Sequence, residues 1–87
     1  MQRSTVLVPW ADGLKFRAAA RIIRAAQRHG ASIVLRCGEK TADARSIMGL
    51  VLLCASMGAP VMIEAEGGDE RRAVKAVERV FVAGGED

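Results

Sequence analysis

The residue types that most often carry out chemistry in proteins are scarce in this sequence. His29 is the one histidine, so a metal site built from several histidines is excluded within one chain. Cys37 and Cys54 are the two cysteines, and no CxxC spacing joins them. We therefore predict free, reduced thiols, with Cys54 serving as a small core residue. Neither a metal ion nor another cofactor is predicted.

A group of acidic residues in the second half of the chain is a further candidate for a metal site. The four residues are Glu64, Glu66, Asp69 and Glu70. They alternate out of a predicted strand and then begin a predicted helix, where acids suit the positive end of the helix dipole. This placement favours a solvated surface over a metal site.

Four arginines form a narrow stripe along the first predicted helix, namely Arg17, Arg21, Arg24 and Arg28. Such a stripe could bind nucleic acid. It lacks interleaved aromatic side chains, however, and the net charge of the chain is only +3. A solvated helix face, or a face that docks acidic proteins, is therefore favoured, and nucleic-acid binding is kept as an alternative.

Length, composition and charge limit the class of protein. The 87 residues are 51% apolar and 3% aromatic, which predicts one folded domain over residues 1–87. Residues 1–45 carry a formal charge of +6 and residues 46–87 carry −3, so the first half should attract anions or acidic partners. No apolar run approaches the ~20 residues that span a bilayer. We see no signal peptide either, and we expect a cytoplasmic protein.

Hydrophobic periodicity and turn residues predict seven structural elements. Strands are expected at residues 4–8, 31–36, 39–43 and 60–66, and helices at residues 15–28, 47–54 and from residue 69 onward. The apolar face of the first helix consists of Phe16, Ala19, Ile22, Ile23 and Ala26. The order βαββαβα predicts an α+β open-faced sandwich, in which helices cover one face of a mainly antiparallel, four-stranded sheet.

Three segments carry motifs that are specific in combination and at this spacing. They are residues 12–19 (DGLKFRAA), residues 42–50 (ADARSIMGL) and residues 63–70 (IEAEGGDE), the last followed by Ala73 and Val74. These segments resemble the GLHxRPA, xxAKSIMGL and ISAEGxDExxAV segments of the HPr family, the small phosphocarriers of the bacterial sugar phosphotransferase system. The resemblance runs along nearly the whole chain, and it implies a four-stranded antiparallel sheet under three helices.

The first motif departs from the family at the reactive residue. The family's phosphoryl-accepting histidine falls on Lys15 and its helix-starting proline on Ala18, while the arginine that assists the phosphoryl group is kept as Arg17. A lysine amine is almost fully protonated near neutral pH and lacks the lone pair that imidazole offers. His29 is expected to be solvent-exposed at the far end of the helix, so it cannot substitute. We therefore predict that histidine phosphoryl transfer is lost.

Lys15 and Arg17 can still bind an anion together with the free backbone N–H groups of the first helical turn. The alternative for Lys15 is a solvated lysine at a helix start, and the sequence does not decide between the two. Trp10 lies beside this turn. It either stacks on a partner or is partly buried in packing.

Ser46 occupies the position of a serine that a bifunctional kinase/phosphorylase modifies in the regulatory branch of the family. The phosphoprotein then binds a transcription regulator. Ser46 is also a good N-cap, and Arg45 would stand beside a phosphate placed there. Capping alone is the competing interpretation.

The helix after Ser46 is apolar almost all round, so one buried face cannot account for it. Ile47, Met48 and Val51 fall on the positions of the family's exposed docking patch, and we add Arg24 as a docking residue. Burial in the core is the competing account for part of this set. The resemblance implies an adaptor that binds proteins of the phosphotransferase system or a transcription regulator. An active phosphocarrier with an atypical site is the second interpretation.

Overall fold

The computed structural model describes residues 1–82, which form four strands and three helices. The strands are β1 (Gln2–Leu7), β2 (Ser32–Cys37), β3 (Lys40–Asp43) and β4 (Pro60–Glu66), and the helices are α1 (Phe16–Ala26), α2 (Ile47–Leu52) and α3 (Glu70–Val82). The sheet has the order β1-β4-β2-β3, and every neighbouring pair is antiparallel. The predicted α+β open-faced sandwich is confirmed.

The core lies between the sheet and the helices, because alternate strand residues point to opposite faces. In β4, Val61, Ile63 and Ala65 are buried, whereas Met62 and Glu64 between them are only partly so. Ile63 is paired across the sheet with Leu35, which is also fully buried. Burying one such aliphatic side chain contributes about 1.5–3 kcal/mol. This alternation therefore fixes the face of the sheet that the helices cover.

Two predicted helices are shorter than expected, and one residue of the expected buried face is exposed. Helix α1 begins at Phe16 rather than at Lys15 and ends at Ala26 rather than at Arg28. The periodicity places Phe16 on the buried face, but it is 58% exposed at the first position of the helix. Helix α2 ends at Leu52, because Cys54 has a left-handed φ of 54° that no α-helix accommodates.

The loop between β1 and α1 is held against the segment that follows α2. Gly13 has a φ of +81°, and a Cβ atom there would lie 2.6 Å from the carbonyl oxygen of Ala55. The neighbouring N–H of Leu14 donates to that same oxygen at 2.9 Å. Only glycine fits this approach without strain. The contact brings the start of α1 next to the end of α2.

The other end of α1 is tied to α3 through a side-chain pair. His29 Nδ1 lies 3.0 Å from Asp69 Oδ2, and the Asp69 carboxylate also accepts hydrogen bonds from the N–H groups of Gly30 and Ala31. The expectation of an exposed helical histidine is therefore wrong. His29 follows the helix, and its side chain is only 17% exposed. Its partner is 40 residues away in sequence, which no local pattern reveals.

Stability should depend on pH through Asp69. Desolvation raises the pKa of Asp69, but hydrogen bonds from His29, Gly30 and Ala31 outweigh it, so the net pKa lies below its usual value. A carboxyl with a lowered folded-state pKa stabilises the protein above its unfolded pKa of about 3.9, and this contribution is lost as the pH falls through the folded-state pKa. Asp69→Asn should therefore destabilise the protein at pH 7 and much less at pH 3, as measured by urea unfolding. Glu66→Gln, at an exposed carboxyl, is the matched control. If Asp69→Asn lowered the free energy of unfolding equally at both pH values, the pH dependence could not be assigned to Asp69.

Candidate functional site

The predicted anion-binding residues meet at the start of α1. Lys15 is the N-cap residue, in an extended conformation with φ −116° and ψ −168°, and its side chain makes no capping hydrogen bond. The first turn contains no acidic residue, and its N–H groups have no acceptor within the helix. Lys15 and Arg17 are both exposed and line one pocket of about 300 Å³. The structure thus brings these two cations together at the positive end of the helix dipole.

Trp10 forms part of the wall of this pocket but belongs to the core. It is only 9% exposed, and its ring centroid lies 5.0 Å from that of Phe81 at an interplanar angle of 46°. Of the two roles considered for Trp10, packing is therefore the one that the structure supports. Phe81 is in α3, so the indole links the loop before α1 to the last helix.

The arginine stripe is shorter and less uniform than the sequence predicts. Arg17 and Arg24 are exposed on α1, and Arg21 between them is half-buried and lines the same pocket as Lys15. Arg28 lies beyond the end of α1, so it is not part of the helix face. A continuous stripe of four exposed arginines, as the nucleic-acid alternative requires, is therefore absent from the described residues.

Ser46 caps α2 as predicted. Its side-chain oxygen accepts a hydrogen bond of 3.0 Å from the N–H of Gly49, and the residue is half-buried. Arg45 does not stand ready beside it. One guanidinium nitrogen of Arg45 donates to the carbonyl oxygens of Ala26, His29 and Ala31, where it caps the end of α1. The prediction that Arg45 would accompany a phosphate on Ser46 is therefore not supported by this geometry.

The apolar helix α2 is divided between the core and the surface. Leu50 in the helix and Leu53 just after it are buried, which accounts for part of the set. Met48 is 55% exposed and Leu52 is 60% exposed. Ile47 and Val51 are half-buried and pack against the core. Both accounts given for this helix therefore apply, each to different residues.

One further apolar residue belongs to this surface. Phe16 is exposed at the start of α1, and a groove of about 350 Å³ runs from Lys15 to Val51 and Leu52. We define the docking patch as the exposed or half-buried apolar residues of this region: Phe16, Ile47, Met48, Val51 and Leu52. Arg24 lies exposed in the last turn of α1, which packs against α2. Sequence periodicity missed Phe16 because it assigns the first residue of a helix to a face without showing what covers it.

The two cysteines and the acidic group also differ from expectation. Cys54 is exposed after the end of α2 and is not a core residue, and Cys37 is half-buried at the end of β2. Glu64 is not simply solvated, because its carboxylate pairs with Arg3 at 3.0 Å and Arg36 at 3.2 Å. Within residues 1–82, no group of three or more His, Cys, Asp or Glu side chains could hold a metal ion.

Comparison with known proteins identifies the family. The protein-family model that describes the phosphorylation site of the HPr component of the phosphotransferase system matches residues 2–83. The chain belongs to the HPr family. HPr itself is a phosphocarrier protein and not an enzyme. Among the described residues, no helix is long and apolar enough to cross a membrane.

Individual relatives match this chain along most of its length. The phosphocarrier protein HPr of Treponema pallidum is 38% identical over 77 residues, which are 88% of each chain. The HPr-like protein Crh of Bacillus subtilis is 36% identical over 75 residues, 86% of this chain and 88% of that protein. The crystal structure of HPr-C-His from Thermoanaerobacter tengcongensis has a TM-score of 0.92 at 33% identity, and the match covers 100% of this chain and 99% of that one.

Proposed function

We propose that this HPr family member is a regulatory adaptor that binds partner proteins and does not carry a phosphoryl group on histidine. One observation carries the proposal. Lys15 occupies the motif position of the family's phosphoryl-accepting histidine, and His29 lies beyond the opposite end of α1, against Asp69. An α1 of 11 residues is about 16 Å long, so His29 cannot reach the anion-binding end.

The chemistry at Lys15 differs from that of an imidazole. Accepting a phosphoryl group requires a nitrogen lone pair, and a protonated amine has none until it loses a proton. The positive end of α1, with Arg17 beside it, instead suits binding of an anionic group without forming a bond to it. Lys15 and Arg17 would therefore hold a carboxylate or phosphate of a partner.

The partner surface combines this charge with the docking patch. Met48 and Leu52 are exposed apolar side chains in the first turn and at the end of α2, and Lys15 lines the groove that leads to Leu52. Lys15, Arg17 and Arg24 provide positive charge on the neighbouring helix. The surface fits a protein with an apolar cleft and acidic residues around it, such as a component of the phosphotransferase system or a transcription regulator.

Ser46 would be the switch in this adaptor. Its hydroxyl is half-buried beside Ile47 and Met48, so a phosphate there would change the charge at the edge of the docking patch. Because Arg45 is engaged at the end of α1, the N–H groups at the start of α2 would have to meet the phosphate. The likeness to Crh, the catabolite repression containing protein of Bacillus subtilis, supports a regulatory role rather than a role in sugar transport itself.

Phosphoryl transfer is tested with enzyme I and phosphoenolpyruvate. The wild-type protein should accumulate no acid-labile phosphate, and Lys15→His should gain it, because Arg17 and the helix start are already in place. Lys15→Gln serves as the control for removing the lysine charge and should stay unlabelled. Stoichiometric acid-labile phosphate on the wild-type protein would refute the proposal.

The docking patch is tested in the same assay. In the Lys15→His background, Met48→Asp should slow labelling by enzyme I at least tenfold, because it places a charge in an apolar contact. Leu7→Asp is the control, since Leu7 is equally exposed but lies on β1. Equal rates for the two variants would show that enzyme I does not use the patch.

The Ser46 switch is tested with a bifunctional HPr kinase/phosphorylase and ATP. Labelling should be stoichiometric in the wild-type protein and absent in Ser46→Ala. Loss of the cap should cost Ser46→Ala about 1 kcal/mol, so its folding is checked by thermal unfolding. Ser56→Ala removes an exposed serine outside the helix and should leave labelling unchanged. Undiminished labelling of Ser46→Ala would place the modified residue elsewhere.

A further inference from the structure

Besides Lys15 and Arg17, the pocket at the start of α1 contains polar groups to which the proposed docking role gives no part. It has a volume of about 300 Å³, and its polar and charged lining consists of Trp10, Asp12, Lys15, Arg17 and Arg21. The remaining lining residues are small or are prolines, namely Pro9, Ala11, Gly13 and Ala18. We propose that this pocket binds a small phosphate monoester that carries hydroxyl groups. This binding goes beyond the adaptor function and does not depend on it.

The charge of the pocket favours an anion. Lys15, Arg17 and Arg21 contribute three positive charges, and the first turn of α1 contributes the positive end of the helix dipole. Arg17 and Arg21 are one helical turn apart, so their guanidinium groups lie on the same side of α1. Guanidinium groups match the geometry of phosphate oxygens and bind them through paired hydrogen bonds.

A buried donor distinguishes this pocket from a group of surface charges. The indole Nε1 of Trp10 is buried and has no hydrogen-bond partner among residues 1–82. A buried N–H without an acceptor is energetically unfavourable. The ring packs against Phe81 and forms part of the pocket wall. A phosphate oxygen seated against the indole would supply the missing acceptor.

The carboxylate of Asp12 indicates that the bound anion also carries hydrogen-bond donors. A carboxylate in the lining repels a bare phosphate, but it accepts hydrogen bonds from hydroxyl groups. The volume also lies at the lower end of the range for small-molecule sites, about 300–1,000 Å³, and so offers space beyond a phosphate group. A hydroxylated phosphate monoester satisfies both the three cations and Asp12.

The proposal is tested by titrating the purified protein with glucose 6-phosphate as the probe. Trp10 is the only tryptophan, so its fluorescence reports on the pocket directly. Glucose 6-phosphate should give a saturable change, inorganic phosphate should bind at least tenfold more weakly, and glucose should give none. The absence of a saturable response up to about 10 mM glucose 6-phosphate, roughly the weakest affinity useful for a metabolite, would overturn the proposal. Equal binding of inorganic phosphate would overturn its hydroxyl-specific part.

Variants locate the binding by calorimetry. Arg21→Gln should weaken binding of glucose 6-phosphate at least tenfold, and Trp10→Phe, which keeps the ring but removes the N–H, should weaken it severalfold. Asp12→Asn should bind inorganic phosphate more tightly and reduce the preference for the sugar phosphate. Arg28→Gln is the control beyond the end of α1 and should bind as the wild type does. Unchanged affinity in Arg21→Gln, with normal thermal unfolding, would place the ligand outside this pocket and would leave the adaptor proposal untouched.

Discussion

The close approach of two backbone segments at Gly13 and Ala55 is the contact on which the whole site depends. It joins the loop before α1 to the segment after α2, and it is continued by hydrogen bonds between Val8 and the residues Gly58 and Ala59. Because α1 and α2 are anchored to the same segment, the cations at the start of α1 lie beside the exposed side chains of α2. A change in this contact would separate the charged and apolar halves of the proposed partner surface.

Helix α2 shows why an apolar segment can be exposed without endangering the fold. Its six residues are too few to be a stable helix alone. Ser46 satisfies an N–H group at its start, and Leu50, with Leu53 just beyond the helix, provides the buried anchor. Met48 and Leu52 contribute little to this anchoring, since they remain largely exposed. Their side chains are therefore available to a partner at small cost to the stability of the protein.

The elements and their order were predictable because they follow from local periodicity. The period of two in β4 and of about 3.6 in α3 identify the buried residues without knowledge of the fold. The errors fall where distant residues decide the outcome. Arg45 reaches back to carbonyl groups of residues 26–31, and Asp69 binds His29 across 40 residues. The pocket is a similar case, because Trp10 is held by Phe81 from the far end of the chain.

The charged side chains at the two ends of α1 interact with the helix dipole in opposite ways. At its carboxyl end, the exposed carbonyl groups are met by the guanidinium of Arg45, so dipole and charge agree. At its amino end, Lys15 and Arg17 add positive charge to an already positive helix end, and no acidic residue in the first turn offsets them. This arrangement is unfavourable in the absence of an anion. Binding a phosphate or carboxylate would remove the repulsion as well as form new hydrogen bonds. In the proposed adaptor, Lys15 would therefore favour binding of an anion at the position where the family motif has its histidine.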